Sequence, residues 1–109
     1  AEGNTAFAVD LFKEVAKTEK GNVILSPYSV SSALGMAYAG ARGNTADQMR
    51  KTLHFDLPDE RLHAAFGGTT NWLTKGRKPY ELRIANALWV QQGLGLEPDF
   101  VATTNRHYK

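Results

Sequence analysis

The chain has 109 residues, 42% of them apolar and 22% charged, proportions ordinary for a globular protein and unlike those of low-complexity or collagen-like chains. A formal charge of +2 is too mild to demand a polyanionic partner, and zero cysteines exclude a disulfide framework and thiolate metal sites. No apolar run is long enough to span a bilayer as a helix, so no membrane partner is expected.

The first predicted element is a helix over 5–18, with Asn4 as its cap and Phe7, Leu11 and Val15 recurring every four residues on one face. Gly21-Asn22 stops it, and 22–25 (Asn-Val-Ile-Leu) reads as a short buried strand. Ser26 caps a second helix whose first turn takes Pro27, because proline lacks an N–H that would be orphaned there. Ser29, Ser31, Ser32, Ala33, Gly35, Ala37 and Ala39 make that helix small nearly all round. Gly35 alone costs about 1 kcal/mol relative to alanine in an isolated helix, so the helix is expected to be enclosed by closely passing backbone. Gly40 suits a left-handed C-terminal residue. Thr45-x-x-Gln48 has the form of a capping box for a third helix, with Met49 and Leu53 inward and Arg50, Lys51 and His54 near the end, where the dipole favours them.

Pro58 begins a fourth helical pattern carried by Leu62, Phe66, Thr69 and Leu73, weakened in its middle by Gly67-Gly68. After a turn over 76–79, the stretch 82–91 reads as the one long strand. Leu82, Ile84, Leu88 and Val90 alternate with Ala85, Ala87 and Trp89, so both faces are apolar and a sheet covered on both sides is expected. A turn over 93–95 leads to a fifth helix opened by Pro98, with Phe100, Thr104 and Tyr108 spaced by four. A doubly covered strand needs neighbours on both edges, and only 22–25 is on offer. The last pattern also runs to Lys109 without a stop signal. The reading is therefore of a piece of a larger fold, apt to aggregate if isolated, with Lys109 either a proteolytic end or an arbitrary one.

No catalytic constellation can be assembled. His54, His63 and His107 are scattered, lack metal-ligand spacing and are expected at the surface or at helix ends. No Ser-His-Asp set or G-x-S-x-G elbow is present, and Gly93-Leu94-Gly95-Leu96 lacks the third glycine of a nucleotide fingerprint. Neither an enzyme nor a cofactor or metal is expected. Gly40-Ala41-Arg42-Gly43 between two helices matches the GXXG loop of KH domains, a remote nucleic-acid reading that leaves the small-residue helix unexplained; no nucleic-acid partner is expected.

The order of motifs resembles one family. Ser26-Pro27-x-Ser29, Leu34 and Gly40-Ala41-Arg42-Gly43-Asn44-Thr45 are similar to the second and third helices of a serpin. The resemblance extends upstream through Phe7-Ala8-Val9-Asp10-Leu11-Phe12 and downstream through Ala85-Asn86-Ala87-Leu88-Trp89-Val90. It implies an α+β multi-layer fold, to which residues 1–109 supply the N-terminal helices, one short buried strand and one long strand of the main sheet, incomplete without a C-terminal remainder joined covalently or as a nicked partner. It also implies a suicide-substrate inhibitor of a protease, serine class first, in which a cleaved reactive loop inserts into that sheet; the loop itself is absent here. Family members that act as carriers or chaperones form the alternative. In the family the hinge where the sheet parts, the shutter, lies at the start of the second helix, which here assigns it to Ser26, Pro27 and Ser29. Some members bind sulfated polysaccharide around the fourth helix, where this chain offers Arg61, Lys75, Arg77 and Lys78, against the plainer reading of a solvated surface. The compartment stays open, with only the resemblance leaning it toward the extracellular space.

Overall fold

The computed structural model describes residues 2–76 and 78–108. Among the described residues five helices occur in order: α1 (Glu2–Thr18), α2 (Pro27–Tyr38), α3 (Gly43–Thr52), α4 (Asp59–Thr74) and α5 (Pro98–His107). α1 and α3 pack against α2, and α5 packs along α4. Phe7, Tyr38, Leu53, Phe55 and Leu62 are buried together where α1, α2 and α4 meet the loop after α3, with Leu11, Met49 and Phe66 closing round them. Burying such a side chain stabilises by about 1.5–3 kcal/mol. Phe55 stands edge-on to Tyr38 at 5.3 Å and to Phe66 at 5.8 Å, an arrangement that aromatic quadrupoles favour.

Glycine spacing is explained by what lies opposite. A Cβ on Gly35 would stand 2.9 Å from the Tyr108 hydroxyl and 3.1 Å from Phe66, and one on Gly67 would stand 2.9 Å from the His107 carbonyl oxygen. Gly67 thus weakens α4 locally so that the end of α5 can lie against it. Around α2 the enclosure is one-sided and made by side chains. Ser31, Ser32, Gly35 and Met36 are buried, whereas Val30, Leu34 and Ala37 are exposed.

Several boundaries differ from the sequence reading. α1 begins at Glu2, so Asn4 lies inside the helix instead of capping it. α3 begins at Gly43 behind Arg42, which makes no side-chain cap bond. The Thr45–Gln48 capping box is therefore not used, because the left-handed Gly43 (φ +58°) has already turned the chain into the helix. Gly40 is not left-handed; a Cβ there would meet the Phe100 ring at 3.1 Å, and close packing is its reason. α5 ends at His107, with the Tyr108 N–H bonded to the Thr104 carbonyl.

The two predicted strands are the larger correction. Neither 22–25 nor 82–91 forms a ladder among the described residues. Alternating apolar residues favour extended backbone, but a strand exists only when another chain segment answers its N–H and C=O groups. Here they do not pair with each other, and several of their large side chains stay in water: Ile24 is 98% exposed and Trp89 95%. The radius of gyration, 15.2 Å, exceeds the ~13 Å of a compact domain of about 100 residues, in keeping with that exposed run.

Candidate functional site

The start of α2 is built from Ser26, Pro27 and Ser29. Ser26 is extended (φ −114°, ψ 94°) and its Oγ accepts the Ser29 backbone N–H at 3.4 Å, while Pro27 occupies the first turn. The Ser26 hydroxyl also donates to the Ser29 hydroxyl at 2.9 Å. A hydroxyl has one donor and two acceptor positions. Ser29 therefore accepts from Ser26, a bond that does not use its own O–H. Ser26 is exposed and Ser29 half-buried, so the pair sits at the surface of this unit.

Tyr28, between them, gave no signal in the sequence. Its hydroxyl lies 2.8 Å from the Thr70 hydroxyl and donates to the Phe66 carbonyl at 3.3 Å. The first turn of α2 is thus pinned to the second half of α4.

At the other end of the same packing surface, buried His63 pairs with half-buried Tyr108. His63, expected at the surface, is 7% exposed; α5 closes over it, and its Nδ1 lies 2.6 Å from the Tyr108 hydroxyl. Burial lowers the His63 pKa, nearby Asp59 opposing and His107 adding to the shift. Burial, with a smaller contribution from Tyr28, raises that of Tyr108. Both groups are neutral at pH 7 and share one hydrogen bond, whose direction follows the imidazole tautomer. Nearby, the Tyr38 hydroxyl donates to Asp59 at 2.7 Å, and Arg50 donates to Asp59 at 3.1 Å and to the Leu57 carbonyl at 2.6 Å. Burial first, and then the hydrogen bond to Asp59, raises the Tyr38 pKa. These bonds tie α2, α3 and the start of α4 together.

Of the basic residues weighed for polysaccharide binding against a solvated surface, Arg61, Lys75 and Lys78 are among the described residues. Arg61 is exposed in the first turn of α4 and Lys75 is exposed beyond its end, about 21 Å apart at 1.5 Å per residue. Lys78 folds onto Trp72, its ammonium 4.2 Å from the ring centre and bonded to the Trp72 carbonyl. Arg77 lies outside the described residues. Arg42 of the GXXG tetrapeptide turns back onto the Ala39 and Ala41 carbonyls at 3.1 and 2.8 Å, which engages its guanidinium within the turn.

Residues 2–109 match the family described as Serpin (serine protease inhibitor). The chain is 42% identical to a leukocyte elastase inhibitor of Bos taurus over 106 residues, covering 96% of this chain and 28% of that protein. It is 37% identical to a leukocyte elastase inhibitor of Homo sapiens over 109 residues, again 28% of that protein's length. An uncharacterized serpin-like protein of Thermococcus kodakarensis is 38% identical over 104 residues, 24% of its length. The chain thus spans about a quarter of the length of the relatives it matches.

Proposed function

The chain belongs to the serpin family, and on that premise we propose that residues 1–109 are the N-terminal part of a single domain that inhibits a protease by loop insertion. The observation that carries the proposal is the family match through residues 2–109. The apolar stretch 82–91 supports it, because it is largely exposed and no strand pairs with it among the described residues. In this reading the remainder of the domain supplies the flanking strands and the reactive loop. The relatives' names make leukocyte elastase the first protease to try. The full-length protein, incubated with an excess of elastase, should form a covalent complex that survives boiling in detergent. Clean cleavage of the loop without such a complex would refute inhibition and leave the carrier reading standing.

The same proposal gives Ser26, Pro27 and Ser29 the hinge role. A sheet that parts above them loses hydrogen bonds on one side, and a hydroxyl pair that can exchange donors is suited to replace them. What supports this is the 2.9 Å Ser26–Ser29 bond, in which Ser29 accepts and its own O–H is not used. Ser29→Ala in the full-length protein should speed polymer formation on mild heating, read on native gels. An unchanged rate removes the residue from the hinge.

A further inference from the structure

We propose that the contact between His63 and Tyr108 is an acid-sensitive latch, which holds α5 against α4 while His63 is neutral and releases it when His63 takes up a proton. Two features of the packing carry this. First, His63 is covered by the element that would move. It is 7% exposed, its Nδ1 lies 2.6 Å from the Tyr108 hydroxyl, and the Tyr108 ring stands edge-on to it at 5.6 Å. Second, α5 lies outside the core. The buried cluster of Phe7, Tyr38, Leu53, Phe55 and Leu62 includes no residue of α5, and no described residue of α5 is itself buried. α5 can therefore swing away from α4 while the core stays closed.

The neighbouring charges do not accommodate an imidazolium in the closed arrangement. Asp59, one turn before His63 on α4, favours the charged form, but its carboxylate already accepts from Tyr38 at 2.7 Å and from Arg50 at 3.1 Å. His107 at the end of α5 opposes the charge, and burial opposes it more strongly. From α2 the neighbour is the Tyr38 ring, 6.1 Å away, a neutral phenol. The groove that His63 borders carries both signs, Asp47, Glu60 and Asp99 facing Arg42 and Arg106. A proton on the ring also makes Nδ1 a donor, so Tyr108 must accept there and turn its own O–H elsewhere. With α5 displaced, water reaches the ring and solvates the charge. The displaced state thus takes the proton more readily, and acid favours it. The latch is complete above about pH 6.5, the ordinary histidine value, and weakens as pH falls below it. It uses neither the Ser26–Ser29 pair nor the stretch 82–91, so it stands apart from loop insertion.

The test is hydrogen exchange of the full-length protein, read by mass spectrometry at about pH 7 and pH 5.5 and corrected for the intrinsic pH dependence of exchange. Protection over 98–108 should fall several-fold at the lower pH while α1, α2 and α3 keep theirs. One proton taken up over the unit below pH 6.5 sets a ceiling of about tenfold. His63→Gln keeps a hydrogen-bonding side chain that does not titrate, and should give α5 the same protection at both pH values. Tyr108→Phe keeps the histidine and removes the hydroxyl, and should speed exchange in α5 already at pH 7. Unchanged protection of α5 on acidifying the parent protein would overturn the proposal. So would an equal loss across all five helices, a pH response that survives His63→Gln, or a Tyr108→Phe variant whose α5 exchanges as slowly as the parent's.

Discussion

Replacing Gly35 by alanine sets two effects of similar size against each other. In an exposed helix the change stabilises by about 0.8–1.0 kcal/mol. In α2 the new methyl would lie 2.9 Å from the Tyr108 hydroxyl and 3.1 Å from Phe66 Cε2, closer than carbon atoms pack. Overpacking of this kind costs about 1–3 kcal/mol. Tyr108 cannot simply swing aside, because its hydroxyl is bonded to the buried His63 Nδ1 at 2.6 Å, a bond worth about 0.5–1.5 kcal/mol. The contact and the strained bond together outweigh propensity, and Gly35→Ala should destabilise the full-length protein by about 1–2 kcal/mol. Equilibrium urea denaturation measures it. Tyr108→Phe removes the oxygen that crowds the methyl, so a double-mutant cycle should show Gly35→Ala to be milder in that background by at least about 0.5 kcal/mol. A stabilising Gly35→Ala, or strictly additive effects, would refute the claim that Tyr108 is what α2 made room for.

Gly67→Ala should be worse than Gly35→Ala, because its methyl meets the His107 carbonyl oxygen at 2.9 Å and backbone yields less readily than a side chain. Faster amide hydrogen exchange confined to α5 and its contact with α4 would show it. Ser26→Ala should cost about 1 kcal/mol through loss of the α2 cap, seen as a lower urea midpoint with an unchanged slope. The lowered His63 pKa makes stability depend on pH. The unfolded chain takes up this proton near the ordinary value of about 6.5 while the folded one resists it. Stability is therefore complete above about pH 6.5 and falls as pH drops toward the folded value. His63→Gln should flatten that slope between pH 7 and 5, and a slope unchanged by the substitution would exclude His63 as its source.

Local chemistry was read well wherever a residue acts on its own neighbours. Ser26 and Pro27 mark the start of α2, the Phe7–Leu11–Val15 spacing marks the inner face of α1, and Phe100 and Thr104 lie along α5 with Tyr108 just past its end. Errors arose where a distant element decides. Gly40 and Gly67 looked like a cap and a weak point, and both answer to α5, whose approach leaves no mark near them in the sequence. His63 looked like a surface histidine because its partner, Tyr108, is 45 residues away. The alternation over 82–91 was legible, but alternation records a readiness to pair and carries no information about the partner. Tyr28 was hidden for the same reason: its hydroxyl bonds to residues about 40 positions downstream.

Both tryptophans of the chain stand in water, Trp89 95% exposed and Trp72 69%. Trp72 has an ammonium over its ring, whereas Trp89 sits in the middle of the stretch that awaits neighbours. Emission from Trp89 should consequently move to shorter wavelength when strands close around it, with Trp72 as a steady internal reference. The segment thus carries its own optical gauge of sheet assembly, needing no added dye.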